Sequence, residues 1–405
     1  KEGFVVVPAG EPADVCVINT CTVTARTDAE SRRLVRRAHR ENPEAAIVVA
    51  GCYSQLSPEV FREFPGVSLI IGNSEKRELA GLLRGLNGGQ TVKVSDISVE
   101  LEAAPLLPET FAEHTRAFLQ VQNGCDGRCS YCIVPRVRGR SRSVPPERAL
   151  EGLRSFAARG FREVVLTGIH LGAYGLDLTP PSSLFDLVSQ AERERIVPRL
   201  RLGSVEPTEI PDRLIRLISE SESICPHLHI PLQSGEDGVL SAMNRPYTTE
   251  FYRGVVEKLA EAVPTIFLGT DLIVGFPGET DEAFDRSYRF LESLPLAAFH
   301  VFPFSPREGT PAATMPGRVP AIVVRERAEA LRKLSAAKKR SFFERFVGGE
   351  LEVLIQEKGK DGSLKGLSRN YIPVSVTGCS ALVNFEVRVR VTEVEGDSVR
   401  GQAVT

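Results

Sequence analysis

The chain has 405 residues, 42% apolar and 25% charged, with a formal charge of −2 and a pI near 6.4. That length and apolar content provide for roughly two or three domains with real cores. The balanced charge excludes a global electrostatic case for nucleic acid, so a polyanionic partner has to be argued from local patches. There is neither a run of about 18 apolar residues nor a charged start leading into an apolar signal core, so no membrane partner is expected. The eight cysteines show no paired framework and read as metal ligands in a reducing compartment, the cytosol.

The opening Lys1-Glu2-Gly3-Phe4-Val5-Val6-Val7 has no Met and runs straight into a strand-like segment, which predicts a chain that begins inside its first domain. Residues 14–19, 46–50 and 67–71 are predicted buried strands, with helices near 27–40, 58–63 and 75–85 between and after them. The alternation means a parallel α/β sheet over 1–85. The segment 86–112, with Gly88-Gly89 and a Pro-bearing stretch at 103–108, reads as a linker. Over 113–342 the alternation resumes on a larger scale. Strands near 117–122, 163–168, 199–204, 227–232, 266–275 and 297–303 predict six β/α units in a partial barrel, whose active residues belong at strand C-termini. A helix at 321–346 follows, and the tail from about 343 to 405 reads as a small all-β barrel.

The run Gly124-Cys125-Asp126-Gly127-Arg128-Cys129-Ser130-Tyr131-Cys132 carries the strongest chemical signal. A cubane iron–sulfur cluster takes four thiolates, so a loop that supplies three leaves one iron open to a ligand from outside the protein. A structural zinc loop, or three unrelated buried thiols, are the other readings of this spacing alone. Zinc would want a fourth ligand, and the nearest histidine, His114, is eleven residues upstream. Cys21 and Cys52 sit just past the ends of adjacent predicted strands, the edge where open α/β sheets bind ligands. Cys16 is five strand residues from Cys21, roughly 16 Å, too far to share a cluster with it, and is read as core. Cys225 and Cys379 are read as ordinary thiols. His229, inside an apolar strand, is read as a satisfied interior histidine.

With an aromatic before its last Cys, the C-x3-C-x2-C run of Cys125, Cys129, Tyr131 and Cys132 resembles the signature of the radical S-adenosylmethionine (SAM) superfamily. Asn19-Thr20-Cys21-Thr22-Val23-Thr24 and Ala50-Gly51-Cys52-Tyr53-Ser54-Gln55 resemble the N-terminal domain of the methylthiotransferases in that superfamily. So do five phrases in the barrel: Leu166-Thr167-Gly168-Ile169-His170, Ser204-Val205-Glu206-Pro207, His229 to Gly235, Met243-Asn244-Arg245-Pro246-Tyr247 and Asp271 to Thr280. The tail resembles the TRAM domain, an RNA-binding barrel.

The resemblance implies an α/β architecture of three parts: a parallel-sheet domain, a partial (β/α)6 radical SAM barrel and the TRAM barrel. It implies two 4Fe-4S clusters and SAM as cofactors. Cys125, Cys129 and Cys132 would hold the cluster that binds SAM, and Cys21 and Cys52 the second, with a third ligand expected upstream of Lys1. Tyr131, Gly168, Ser204, Glu206, Gln233 and Val274 are assigned to the SAM pocket. Arg136, Arg138, Arg140 and Arg142, spaced by two beside the triad, are assigned to RNA. The helix over 325–345 carries eight Arg or Lys against three Glu, which suits either phosphate contact or a solvated face. The TRAM-like tail carries seven basic and eight acidic residues over 347–405, so its RNA role rests on resemblance.

The implied reaction adds a methylthio group to C2 of a tRNA adenosine at position 37. Thr22-Val23-Thr24, and less distinctly Gly139-Arg140-Ser141-Arg142-Ser143, resemble the branch acting on threonylcarbamoyladenosine. Isopentenyladenosine, and an aspartate of a ribosomal protein, are the substrates of the other branches. A chain that binds tRNA and cleaves SAM without transferring sulfur is the reading from a different class. A flavodoxin or ferredoxin type donor and a monomeric state complete the expectations.

Overall fold

The computed structural model describes residues 3–103, 115–359, 362–377 and 383–404. His114, residues 104–112 of the expected linker and Cys379 lie outside them. The chain divides into two compact units. Described residues 3–103 group with 124–141 and 305–315 in the first, and 115–123, 142–304 and 316–404 form the second.

In the first unit, apolar runs alternate with helices, and runs buried on both faces pair in parallel. The elements are β1 (Val15–Thr20), α1 (Ala25–Glu41), β2 (Ala46–Gly51), α2 (Cys52–Leu56), β3 (Val67–Ile71), α3 (Leu79–Arg84), β4 (Thr91–Lys93) and α4 (Val134–Arg138). The four strands form one parallel sheet in the order β1-β2-β3-β4. Successive residues of β2 serve opposite faces. Ile47 and Val49 pack with Val35 of α1, Tyr53 and Phe61, whereas Val48 and Ala50 pack with Leu69, Ile71 and the leucines of α3. Three expectations differ in detail. The helix near 58–63 is a 3-10 turn, Pro58–Phe61, and that near 75–85 begins as a 3-10 turn, Glu75–Glu78. β4 lies within the segment read as a linker; three residues are too few to declare a strand by alternation.

The second unit contains β5 (Arg116–Gln120), β6 (Gln122–Asn123), β7 (Arg142–Ser143), α5 (Pro146–Ala158), β8 (Glu163–Thr167), α6 (Leu184–Arg193), β9 (Arg199–Leu202), α7 (Asp212–Glu220), β10 (His227–His229), α8 (Asp237–Ala242), α9 (Thr249–Ala262), β11 (Phe267–Val274), α10 (Asp281–Ser293), β12 (Ala298–Pro303) and α11 (Ala321–Glu344). β5-β8-β9 and β10-β11-β12 are parallel three-stranded sheets. Bridges at Leu200–Ile224 and Ser204–His229 join them into one arc of six strands, the partial barrel the sequence predicts. β10 stops at His229, short of the expected 232, because Pro231 offers no N–H to the ladder.

The tail folds as β13 (Glu350–Lys358), β14 (Ser363–Ser368), β15 (Pro373–Thr377), β16 (Glu386–Glu395) and β17 (Ser398–Ala403), a closed barrel in the order β13-β14-β15-β17-β16. Its core, including Val353, Ile355, Leu364, Val389 and Val399, is continuous with Phe342 and Phe343 of α11.

An ion network seats this small barrel on the larger one. Glu163 and Arg199 are register partners on β8 and β9, both with no exposed surface. Arg199 Nε and Arg201 Nε each donate to the Glu163 carboxylate at 2.8 Å. Arg199 also reaches Glu386 at 2.5 Å and the Leu367 carbonyl at 3.0 Å, and Arg201 reaches the Arg369 carbonyl at 3.0 Å. Burial pushes the Glu163 carboxyl up, but Arg201 and Arg199 outweigh it and hold the group down at about 2. Because that value lies below the 4.5 of a free Glu, the contribution to stability is complete above pH 4.5 and is lost as pH falls toward 2. Glu163→Gln, which leaves the buried Arg201 with backbone carbonyls and Arg199 with Glu386 as its remaining carboxylate, is expected to cost about 3–5 kcal/mol. It should also flatten the acid limb of stability, as read by urea midpoints at pH 7 and pH 4.

Candidate cysteine and strand-end sites

Within the first unit, two sets of thiols are carried by elements that pack on one another. Cys21 follows the last residue of β1, and Cys52 opens α2 at the end of β2, so both stand at the C-terminal edge of the sheet as expected. The chain after Cys21 is fixed by an interaction the sequence did not reveal. Thr22 Oγ1 donates to Asp28 at 2.7 Å, and the buried Arg307 donates to Thr22 Oγ1 at 2.6 Å and to Asp28 at 2.7 Å. Thr24 then caps α1 in a capping box with Thr27. Thr22 and Thr24 thus hold the cysteine turn. Arg307 lies far along the chain from its partners, beyond the reach of any local pattern.

The triad loop leads directly into α4, whose Val137, with Ile133, packs on Cys52 and Leu56. Asn73 Nδ2 donates to the Val137 carbonyl at 2.7 Å and approaches Cys52 Sγ at 3.8 Å. Arg138 Nε donates to Cys52 Sγ at 3.0 Å. In the triad loop, the Gly127 amide donates to Cys125 Sγ at 3.2 Å and the Cys132 amide to the Cys129 carbonyl at 3.1 Å. Cys125, Cys129, Cys132 and Cys21 are half-buried and unbridged.

This surrounding suits thiolates. Anionic sulfur ligands are stabilised by N–H donors and nearby cations, which orient the thiolates and tune a cluster held by them. Lys76 adds to the same neighbourhood. Its ammonium donates to Asn19 Oδ1 at 2.8 Å. Burial and the Arg138 guanidinium push it down to about 8, against the pull of Cys52. Cys16 packs against the sheet core, as expected.

The second unit holds the strand-end residues. Gly168, at the end of β8, lies against the Gln122 side chain, whose Oε1 accepts from the His170 amide at 2.8 Å. Ser204 bridges to His229. Glu206 pairs with Arg245, and burial raises its carboxyl despite that guanidinium. Gln233 adopts φ 72°, in the left-handed region, and its backbone is clamped to Asp271 and Ile273 at 2.8 and 2.9 Å. Val274, 2% exposed, ends β11. Four of these residues therefore stand at the strand C-termini of one barrel wall.

The arginines after the triad do not act as one group. Arg136 and Arg140 are exposed, Arg136 donating to the Glu308 carbonyl at 2.9 Å. Arg138 faces Cys52, and Arg142 is only 4% exposed. In α11, Arg327 is likewise buried, on Glu279 and Asp281. Among the described residues, no helix is long and apolar enough to cross a membrane.

Comparison with known proteins decides the family. The radical SAM superfamily matches residues 119–291, the uncharacterized protein family UPF0004 residues 1–72, and the TRAM domain residues 344–404. The chain is 36% identical over 97% of its length to the threonylcarbamoyladenosine tRNA methylthiotransferase MtaB of Bacillus subtilis (strain 168), covering 89% of that protein. It is 37% identical over 93% of its length to the protein of the same name from Aquifex aeolicus (strain VF5), covering 91% of it. The chain belongs to the radical SAM methylthiotransferases. Another relative is the tRNA-2-methylthio-N(6)-dimethylallyladenosine synthase of Anoxybacillus flavithermus, 34% identical over 97% of this chain and 76% of that one. The solved radical SAM methyltransferase TsrM of Kitasatospora setae shares the fold, with a TM-score of 0.54 at 19% identity, over 79% of this chain and 72% of that chain. As a radical SAM methylthiotransferase, the protein is an enzyme that works with SAM and an iron–sulfur cluster.

The triad loop depends on Gly124. It sits at φ 74°, and a Cβ there would lie 1.8 Å from the Arg140 carbonyl oxygen. Gly124→Ala is expected to break the loop, at a local cost on the order of 1–3 kcal/mol or more. The check is a loss of bound iron after anaerobic reconstitution, with circular dichroism unchanged.

Proposed function

We infer that this radical SAM methylthiotransferase adds a methylthio group to C2 of threonylcarbamoyladenosine at position 37 of tRNA. The observation that carries this reading is the likeness to enzymes named for that nucleoside, at 35–37% identity over 90–98% of the chain. The Thr22-Val23-Thr24 turn after Cys21 agrees with it.

In this reading Cys125, Cys129 and Cys132 hold the SAM-binding cluster, in the loop closed by the Gly127 and Cys132 amides. A cluster bound there supplies the electron that cleaves SAM to a 5′-deoxyadenosyl radical. Gly168, Ser204, Glu206, Gln233 and Val274 hold SAM's adenosine and amino acid groups. Glu206 and Ser204 suit its ammonium and hydroxyls. Cys21 and Cys52 offer two ligands for a second cluster, with Arg138 and Asn73 donating toward the Cys52 sulfur and Lys76 nearby offsetting the negative charge. Arg136 and Arg140 are the loop cations available to tRNA phosphates, and the C-terminal barrel is the other RNA contact. The divisions 1–85, 113–342 and 343–405 correspond to sulfur delivery, SAM cleavage and RNA binding. A flavodoxin or ferredoxin type protein supplies electrons to a cytosolic monomer.

The test is anaerobic reconstitution with iron and sulfide, then nucleoside mass spectrometry of tRNA incubated with SAM and dithionite. A methylthio mass gain on threonylcarbamoyladenosine, abolished in Cys125→Ala along with 5′-deoxyadenosine formation, is expected. A gain on dimethylallyladenosine instead, or SAM cleavage with unaltered tRNA, overturns the reading. Arg138 gives a finer check. Arg138→Ala should lower the iron retained by a Cys125→Ala, Cys129→Ala, Cys132→Ala background, and Arg138→Lys should restore part of it.

A further inference from the structure

The inner wall of the larger barrel carries a polar group of His229, Asp271 and His300. Along β11, Leu268, Thr270, Leu272 and Val274 are buried at 0–2% exposure. Asp271 and Ile273 alternate with the last three of them and are half-buried. Tyr252 of α9 and Thr270 both donate to the Ile230 carbonyl, at 2.8 and 2.7 Å, which puts the Thr270 face of β11 under the helices and Asp271, the next residue, on the opposite face, toward the lumen. His300, its register partner on β12, is exposed, and His229 ends β10. His229 Nε2 lies 3.1 Å from Asp271 Oδ2, the His229 and His300 rings are 5.8 Å apart, and one ligand atom from each of the three residues lies within 4.8 Å of the others. Gly269 makes the room: a Cβ there would stand 3.1 Å from His229 Nδ1.

Position and neighbours suggest what meets this group. His229 bridges Ser204, and the Asp271 carbonyl accepts the Gln233 amide, so the cluster is one backbone step from two residues assigned to SAM. Below it the lumen is filled. His227 and Phe267 pack on Tyr371 of the small barrel, with ring centroids 4.2 and 5.9 Å from it, and Arg201 lies over the same ring. Above it, two residues along β12, Phe302 is 45% exposed, its ring 6.4 Å from that of His300. An exposed aromatic at a strand end is a stacking platform for a base.

The geometry points to His300, Asp271 and His229 as the specificity contact for the N6 substituent of the target adenosine, with Phe302 beside the base. This rests on the function proposed above. A threonylcarbamoyl group carries a carboxylate, a hydroxyl and urea-type N–H groups. Imidazole N–H donors suit the carboxylate, and the Asp271 carboxylate suits the N–H and hydroxyl donors. A dimethylallyl group is hydrocarbon and would strip water from the cluster while pairing with none of it. Sites built to hydrogen-bond a substrate discriminate strongly against analogues that lack the partner.

The experiment compares one tRNA in three forms, with adenosine, dimethylallyladenosine or threonylcarbamoyladenosine at the target position. It measures equilibrium binding and kcat/KM on reconstituted protein, with iron content and thermal midpoint checking the fold. His300→Phe and Asp271→Asn should each lower the preference for the threonylcarbamoyl form about 10- to 100-fold, mainly through KM. His300→Gln should recover part of the preference. If the wild type modifies threonylcarbamoyladenosine and both variants keep its full preference, this inference fails and the proposed function stands. If the wild type does not act on that nucleoside, the proposed function itself fails. A stoichiometric zinc ion lost in His300→Phe, with the preference unchanged, would instead make the cluster a metal site and overturn the assignment.

Discussion

A single carboxylate with no solvent exposure, Glu163, organises the second unit. It stands on β8 opposite Arg199 of β9 and takes hydrogen bonds from Arg199 and Arg201. Those guanidiniums spend their remaining donors on Glu386 and on the carbonyls of residues 367–369 in the small barrel. A buried ion pair is weak evidence for net stability, since desolvation offsets much of the attraction. Its geometry is nonetheless demanding, because each uncompensated member would be expensive. The network therefore sets the seating of the small barrel in one arrangement and closes the lower end of the lumen, leaving the strand C-termini as the working end.

The same edge logic governs both units. Strand C-termini of parallel sheets present backbone that no further strand pairs, and chemistry gathers there. Cys21 and Cys52 follow β1 and β2, while Gly168, Ser204, Gln233 and Val274 follow or end strands of the larger barrel. Each is held from behind by something specific: Arg307 and Asp28 behind the turn after Cys21, α4 behind Cys52, and the backbone of Asp271 and Ile273 on either side of Gln233. Gln233 at φ 72° shows the cost of this support, a strained residue kept in place by two backbone bonds.

How much of this was legible depended on whether the signal was local. The C-x3-C-x2-C run and the alternation of apolar runs with helices are periodic or closely spaced, so the triad, the partial barrel and the closed tail barrel could be read directly. β4 was not, because its three residues carry no period. The 3-10 turn at Pro58–Phe61 passed for a helix because apolar spacing alone cannot separate the two over one turn. Arg307 was invisible since its partners lie 279 and 285 positions away. His229 was read as an interior histidine satisfied by a neighbour. Asp271 supplies that neighbour, but His300 on the next strand makes the group more than a pair.

Charge is where sequence reading was least able to see function, and the reason is physical. An arginine contributes to a polyanion-binding surface only if its charge is not already spent. Arg199, Arg201, Arg307 and Arg327 are all less than 9% exposed and all pair with carboxylates inside the fold. Arg138 turns to a sulfur, and Arg142 is buried. The four arginines spaced by two after the triad resemble a phosphate-binding stripe on paper. α4 and the short strand after it turn successive members toward different surroundings, so Arg138 meets a cysteine, Arg142 is buried, and Arg136 and Arg140 face solvent. A near-zero net charge therefore says little in either direction. What counts for any polyanion is the set of cations left over once the interior has been neutralised, and after the triad the exposed members of this run are Arg136 and Arg140.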